Sequence, residues 1–224
     1  MAKMSKSTPV STHLDRQLLV KFQQLAPWLV SFVVVVLAVL VWGQQNLWHV
    51  WPINTYRFFP VLGLMAFSVM WSQYATGWLG RQFNWPSTEL SRYFSVTGWV
   101  VLVLICLHPG LLIYQRFRDG AGLPPHSYES YVRPGLGWLT LLGSTCLLIF
   151  LAYELRRVYA DRPWWRYITY LVDAAMLGIF YHGLELGDQL QRGWYRYVWW
   201  FYGLTLVYFL AINYYHKYQQ RTVK

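Results

Sequence analysis

Long blocks of apolar residues are the feature of this sequence that most restricts its fold. Several of them run for about 20 residues, the length that an α-helix needs to cross about 30 Å of hydrocarbon. Only 12% of the 224 residues are charged, whereas a soluble domain carries about 25%. The chain lacks the charge to cover a water-facing surface, so the sequence predicts an all-α membrane protein.

The apolar blocks predict six spans joined by short connections. They cover roughly residues 27–43, 55–77, 93–115, 135–155, 166–187 and 194–215. The chain is thereby divided into a basic tail at 1–26, a six-helix transmembrane domain at 27–216 and a second basic tail at 217–224. No small-residue cleavage site follows the block "SFVVVVLAVLVWG", so we interpret this block as the first span and not as a signal peptide.

The net charge of +10 favours one orientation in the membrane, with both termini in the cytoplasm. In that orientation only six of the 19 lysines and arginines lie on the outer side: Arg57, Arg116, Arg118, Arg133, Arg192 and Arg196. This is the asymmetry of the positive-inside rule. The basic residues are therefore predicted to set the topology and to contact the anionic lipid of the bilayer, and not to bind nucleic acid.

Two of the six histidines lie within predicted spans, where a polar side chain is costly and suggests a functional site. His108 follows Arg92 by 16 residues on the third span, and His182 follows Arg166 by 16 residues on the fifth. Both spans run outward, so each histidine lies about 24 Å above its arginine, at about 1.5 Å per residue. The two are predicted to share one level in the outer half of the bilayer. The remaining histidines are predicted to be solvated or interfacial: His13, His49, His126 and His216.

Two interpretations of this pair remain open at the level of the sequence. A haem supplies four nitrogens itself and needs only two axial imidazoles, whereas zinc normally takes four protein ligands, and no Cys, Asp or Glu lies at this level to complete such a set. Alternatively, each histidine bonds to a backbone carbonyl, and Pro109 only kinks the span. Cys106 and Cys146 are predicted to be small buried apolar residues.

The fifth span carries small residues on the face of its histidine. Ala174, Gly178 and His182 follow at four-residue spacing and predict a groove where a flat macrocycle could lie, although plain helix packing is the alternative. Asp173 faces away from that side, and we expect it to pair with a polar group on a neighbouring helix, a proton relay being the other possibility. The polar stretch "SVMWSQYAT" of the second span either lines a quinol pocket or bonds to other helices.

The third span reads "SRYFSVTGWVVLVLICLH", with Arg92, Gly98, Leu107 and His108 in that order. It resembles the third span of the ferric-reductase-like transmembrane domain. That family is a six-helix haem-b module, found in NADPH-oxidase cores and in the haem subunit of the bacterial periplasmic methionine sulfoxide reductase system. Its axial histidines lie on the third and fifth spans, so the resemblance implies that His108 and His182 ligate haem iron. It also implies an integral multi-pass protein of the bacterial inner membrane.

The fifth span resembles the family only in part. Members often show Trp-x-x-Leu-His with a second histidine 13 residues later. Here Trp165 and Ile168 hold the first two positions, Thr169 replaces the first histidine, and His182 follows 13 residues on. The family commonly binds two stacked haems, one in each leaflet. The missing inner ligand therefore predicts a single haem b in the outer half of the bilayer.

The resemblance implies electron transfer to an outer-side acceptor, as a possible oxidoreductase component. Arg116 and Arg192 lie just above the two histidines and are predicted to pair with haem propionates, interfacial snorkelling being the alternative. The sequence contains no flavin or nicotinamide domain and no G-x-G-x-x-G motif, so the donor is expected to be a quinol or a redox partner subunit. The alternative function is a non-catalytic scaffold or assembly protein that keeps the fold without haem. A solute transporter is disfavoured because the sequence shows no internal repeat.

Overall fold

A computed structural model describes residues 10–48 and 54–222 of the chain. The described residues form helices joined by turns and short irregular segments, as the sequence predicts. In chain order the helices are α1 (Val10–Gln45), α2 (Thr55–Gln82), α3 (Ser87–Arg118), α4 (His126–Glu129), α5 (Gly137–Glu154), α6 (Arg156–Tyr159), α7 (Trp165–Leu186), α8 (Asp188–Gln191) and α9 (Tyr195–Thr222).

Membrane-spanning helices dominate the described part of the chain. Four of its helices are long and apolar enough to cross a bilayer, namely α1 from Lys21 onward, α2, α3 and α5. The protein is therefore a multi-pass membrane protein whose apolar helices contact the lipid bilayer. Helices α7 and α9 occupy the predicted fifth and sixth spans and have 22 and 28 residues, but they are less apolar. Six spans and cytoplasmic termini stay predictions.

The first and last helices extend into the segments predicted to be basic tails. Helix α1 begins at Val10, well before the predicted boundary at 26, and α9 continues to Thr222, past the boundary at 216. Neither extension contains a glycine or a proline. Helix growth is cooperative, so a helix that is already formed continues through polar residues until something interrupts it.

Helix α2 is the central helix of the bundle. It packs against α1 and α3 and also contacts α7 and α9. In its most apolar stretch 61% of the residues are buried, against 11% in α5. Its aromatic rings pack on those of α9, with centroid separations of 4.3 Å for Phe67 and Trp199 and 4.5 Å for Trp71 and Tyr202. This α2–α9 contact forms the core that positions the remaining helices.

Two antiparallel helix pairs carry the two intramembrane histidines. Helices α2 and α3 form the first hairpin, with His108 on α3, and helices α5 and α7 form the second hairpin, with His182 on α7. Helix α3 continues through Pro109 without ending. Within the described residues, α3 and α7 are not among the helix pairs with extensive mutual packing. The two histidines are thus held by different partners, α2 and α5.

The polar stretch of the second span bonds to other helices. The hydroxyl groups of Ser31, Ser72 and Tyr93 join α1, α2 and α3, at oxygen–oxygen distances of 2.7–2.9 Å. One residue further along α2, the amide nitrogen of Gln73 donates to Thr97 Oγ1 on α3 at 2.9 Å. These side chains therefore serve helix packing in the membrane, where interhelical hydrogen bonds are worth about 1 kcal/mol each.

Candidate functional site

His108 is oriented by a backbone carbonyl of the neighbouring helix. Its Nδ1 lies 2.6 Å from the carbonyl oxygen of Phe59, near the start of α2. A carbonyl oxygen only accepts hydrogen bonds, so Nδ1 is the donor and carries the proton of the neutral ring. The lone pair is then left on Nε2, which is the nitrogen available for a ligand bond.

His182 repeats this arrangement on the other hairpin. Its Nδ1 lies 2.8 Å from the carbonyl oxygen of Leu139, near the start of α5. The same reasoning assigns the proton to Nδ1 and the lone pair to Nε2. Both imidazoles are thus neutral donors to backbone and present the same free nitrogen. Metal-bound histidines have this arrangement, because the second hydrogen bond sets the tautomer and the ring orientation.

Each imidazole also lies against a glycine one turn after the carbonyl that orients it. A Cβ atom added to Gly63 would lie 2.8 Å from Cε1 of His108, and one added to Gly143 would lie 2.6 Å from Cε1 of His182. Carbon atoms pack at about 3.5–4.0 Å, so neither ring leaves room for a side chain. Each histidine therefore sits in a recess formed by a carbonyl and a glycine.

The pair fits a haem better than a metal ion held by protein ligands alone. Among the described residues no group of three or more His, Cys, Asp or Glu lies close enough together to hold a metal ion. A haem needs only two axial ligands, because its own nitrogens supply four. Two neutral imidazoles with free Nε2 atoms are the donor set that a bis-histidine haem requires.

Aromatic residues from the start of α2 and from the segment between α3 and α5 form a cluster beside His108. Tyr131 stacks on Tyr56 with centroids 5.9 Å apart and packs edge-on against Phe59 at the same separation. Phe59 in turn lies 5.3 Å from the His108 ring. Tyr128 is buried beside the same group. We name Tyr56, Phe59, Tyr128 and Tyr131 the aromatic cap; it packs beside His108 where α2 begins.

Charged groups fasten the rim of the aromatic cap. The Tyr56 hydroxyl donates a short hydrogen bond to Asp119, and this bond holds the pKa of that carboxyl below its ordinary value. The Arg116 guanidinium donates to Ser130 and lies 6.0 Å from the centre of the Tyr131 ring. Arg116 thus ties the end of α3 to the loop. Arg192 is exposed at the end of α8. The prediction that these two arginines pair with propionates stays a prediction.

The small residues of the fifth span have different surroundings. A Cβ atom on Gly178 would lie 2.9 Å from Cys146 Sγ, so Gly178 lies at the close contact between α7 and α5. This placement matches the helix-packing alternative that the sequence left open. Ala174 is exposed on the surface of α7, where lipid or a ligand could contact it. Cys146 is buried as expected, whereas Cys106 is exposed on α3.

Asp173 is paired, as the sequence led us to expect. Its two carboxylate oxygens accept hydrogen bonds from Tyr74 on α2 at 2.7 Å and from Tyr214 on α9 at 2.6 Å. Lys217 lies 5.3 Å from the centre of the Tyr214 ring. The carboxylate therefore links α7 to α2 and α9, on the side of α7 away from the α5 contact of Gly178.

The other histidines lie outside the two recesses. His126 is exposed at the start of α4 and His216 is exposed near the end of α9, in keeping with the solvated or interfacial positions predicted for them. His13 lies on α1. His49 lies outside the described residues.

Sequence reasoning missed the recess around each histidine. The carbonyls and glycines belong to the stretches "FPVLG", residues 59–63, and "LTLLG", residues 139–143. Each stretch has a Leu-Gly pair and supplies the carbonyl four residues before the glycine. The similarity is too short to be recognised as a repeat, and only the tertiary contacts give it meaning.

Comparison of the chain with protein-family models, with curated proteins and with solved structures gives no match in any of the three.

Proposed function

We propose that this protein is a membrane-embedded electron-transfer protein that holds one b-type haem between His108 and His182. The observation that carries the proposal is that both imidazoles donate through Nδ1 to a backbone carbonyl and leave Nε2 free. When bound, a haem supplies a one-electron carrier, because its iron cycles between the ferric and ferrous states. The six-span topology, the cytoplasmic termini and the bacterial inner membrane belong to this proposal.

The protein's own residues would prepare the two ligands. Each carbonyl bond fixes the tautomer, restricts ring rotation and increases the basicity of the ligand nitrogen. The aromatic cap limits the access of water to His108, and the surrounding dielectric influences the potential of a haem. These features supply ligand orientation and a dry environment.

A single haem in the outer half of the bilayer requires a donor that reaches it within the membrane or through a partner. We propose a quinol or a redox partner subunit as the donor, and an acceptor on the outer side. The protein would act as the haem component of an oxidoreductase. The resemblance of the third and fifth spans to the ferric-reductase-like domain supports this assignment.

The absorption spectrum of the protein purified from haem-replete cells tests the proposal. We expect a b-type Soret band that sharpens and shifts on reduction with dithionite. His182→Ala should lose the band, whereas His216→Ala, an exposed imidazole on α9, should keep it. A colourless wild-type protein, or equal spectra for the His182→Ala variant and the wild type, would contradict bis-histidine haem binding.

A non-catalytic scaffold is the second candidate function. The two histidine–carbonyl hydrogen bonds also favour this function, because they connect α3 to α2 and α7 to α5 without any cofactor. A scaffold predicts a stable colourless protein that purifies with a partner. The spectrum separates the two functions, since only the haem protein absorbs in the visible range.

A further inference from the structure

The two histidine recesses are built to the same plan. In each, a helix contributes a carbonyl oxygen to Nδ1 and, four residues later, a glycine whose missing side chain leaves room for the ring. For Gly63 an added Cβ would meet His108 Cε1, Nδ1 and Nε2 at 2.8, 2.9 and 3.2 Å. For Gly143 it would meet the same atoms of His182 at 2.6, 2.8 and 3.3 Å. The three atoms approach in the same order at both places.

The contact falls on the edge of the ring that matters for ligation. Cε1 lies between the two nitrogens, so a side chain that pushes on Cε1 displaces both of them. A methyl group at Gly63 would lengthen the 2.6 Å bond from Nδ1 to Phe59 and would crowd Nε2. The anchoring carbonyl belongs to the same helix one turn away, so a ring that is pushed off Gly63 is also pushed off that carbonyl.

From this we infer that Gly63 and Gly143 are positioning residues, which hold the imidazoles of His108 and His182 with Nδ1 on the carbonyl and Nε2 open to a ligand. The part of the inference that concerns haem rests on the proposed function. The part that concerns ring orientation does not.

Another glycine in the first hairpin provides a matched control. A Cβ on Gly80 of α2 would lie 2.8 Å from Leu90 Cδ1 of α3. This nearest approach equals that of Gly63 to His108, and it falls between the same pair of helices. The neighbour of Gly80 is a leucine and not a histidine.

The experiment compares Gly63→Ala and Gly143→Ala with the control Gly80→Ala, in the full-length protein. The first readout is the ¹⁵N spectrum of histidine-labelled protein, which distinguishes an Nδ1-protonated ring from other tautomers and does not require haem. The second is the position and intensity of the Soret band. We expect Gly63→Ala and Gly143→Ala to change the histidine tautomer signals and to lose the low-spin haem band, and Gly80→Ala to keep the wild-type values.

A double variant guards against loss of folding. Gly63→Ala combined with His108→Ala removes the ring that the methyl group meets, so it should recover the thermal stability that Gly63→Ala loses while remaining without haem. Equal tautomer signals in Gly63→Ala and the wild type, equal losses in Gly63→Ala and Gly80→Ala, or no recovery in the double variant would overturn the inference. A colourless wild type with shifted tautomer signals in Gly63→Ala would contradict the proposed function and support the positioning role.

Discussion

The first and second hairpins hold their histidines alike but are joined by different contacts elsewhere. In the first hairpin, polar bonds connect α2 and α3 below the histidine, from Ser72 to Tyr93 and from Gln73 to Thr97. In the second, the close approach of Gly178 to Cys146 takes their place. The first hairpin contains the most buried span, whereas α5 of the second is largely exposed.

This difference shows that the histidine recess is a local feature. It depends on a carbonyl and a glycine four residues apart, and not on how the remaining length of each helix pair is fastened. The second hairpin is more exposed, and the Asp173 carboxylate fastens its helix α7 to α2 and α9 by hydrogen bonds. The two hairpins therefore hold their histidines in equivalent recesses on unequal supports.

The largest expected effect is the loss of haem on removal of either histidine, since the two recesses are equivalent. His108→Ala and His182→Ala are each expected to abolish bound haem, because a bis-histidine site loses its low-spin iron when either axial ligand is removed. Haem content per protein and the reduced-minus-oxidised spectrum measure this. Retention of a low-spin spectrum by one of the two variants would show that the hairpins are not equivalent.

Removal of the Asp173 carboxylate tests the support of the second hairpin. Asp173→Ala leaves the hydroxyls of Tyr74 and Tyr214 without their acceptor, and we expect a loss of about 2–3 kcal/mol in the free energy of unfolding. Unfolding in mixed detergent micelles measures the loss. Asp173→Asn keeps one acceptor oxygen and should lose less; equal losses for the two variants would contradict this explanation.

The polar contacts of the first hairpin predict a smaller effect. Ser72→Ala removes the hydroxyl that Ser31 and Tyr93 share and is expected to lower the free energy of unfolding by about 1 kcal/mol, the scale of an interhelical hydrogen bond in a membrane. Thr145→Ala is the control, since Thr145 is exposed on α5 and bonds only to a carbonyl of its own helix. If both variants lose the same stability, the hydroxyl cluster does not fasten the hairpin.

The aromatic cap covers the end of the first hairpin that lies nearest to His108. Tyr131→Ala removes the ring contacts with Tyr56 and Phe59, which are worth about 0.5–1.5 kcal/mol each as aromatic pairs. We expect faster cleavage of the loop at 119–136 by added protease and a shift in the haem spectrum. Tyr197→Ala, an exposed tyrosine on α9, should change neither rate nor spectrum.

The smallest expected effect is that of acid on the hydrogen bond between Tyr56 and Asp119 at the edge of the aromatic cap. The Tyr56 bond lowers the pKa of Asp119 in the folded protein below its ordinary value of 3.8. A lowered pKa means that the carboxylate stabilises the fold at neutral pH, and this contribution disappears as the pH falls through the folded-state pKa. Protease sensitivity of the loop should therefore rise below about pH 4, and Asp119→Asn should flatten that rise.

The sequence anticipated most of the helices but not their ends. Apolar blocks of span length located the six long helices because a backbone in lipid must satisfy its own hydrogen bonds. The tails at 1–26 and 217–224 were predicted from charge, whereas α1 and α9 continue into them. Charge reports solubility and topology, whereas a helix that is already formed continues through polar residues of good helix propensity.

The sequence by itself determined that this chain is a helical membrane protein with two histidines at similar positions on two of its helices. Span length, the low share of charged residues and residue counts along a helix suffice for that. Only the tertiary structure decided how those histidines are held. Each Nδ1 bonds to a carbonyl that is distant in the sequence, 49 residues away for His108 and 43 for His182. A glycine also lies against each ring. Both features follow from the pairing of the helices. The pairing is set by packing across the whole bundle, and no local pattern encodes it.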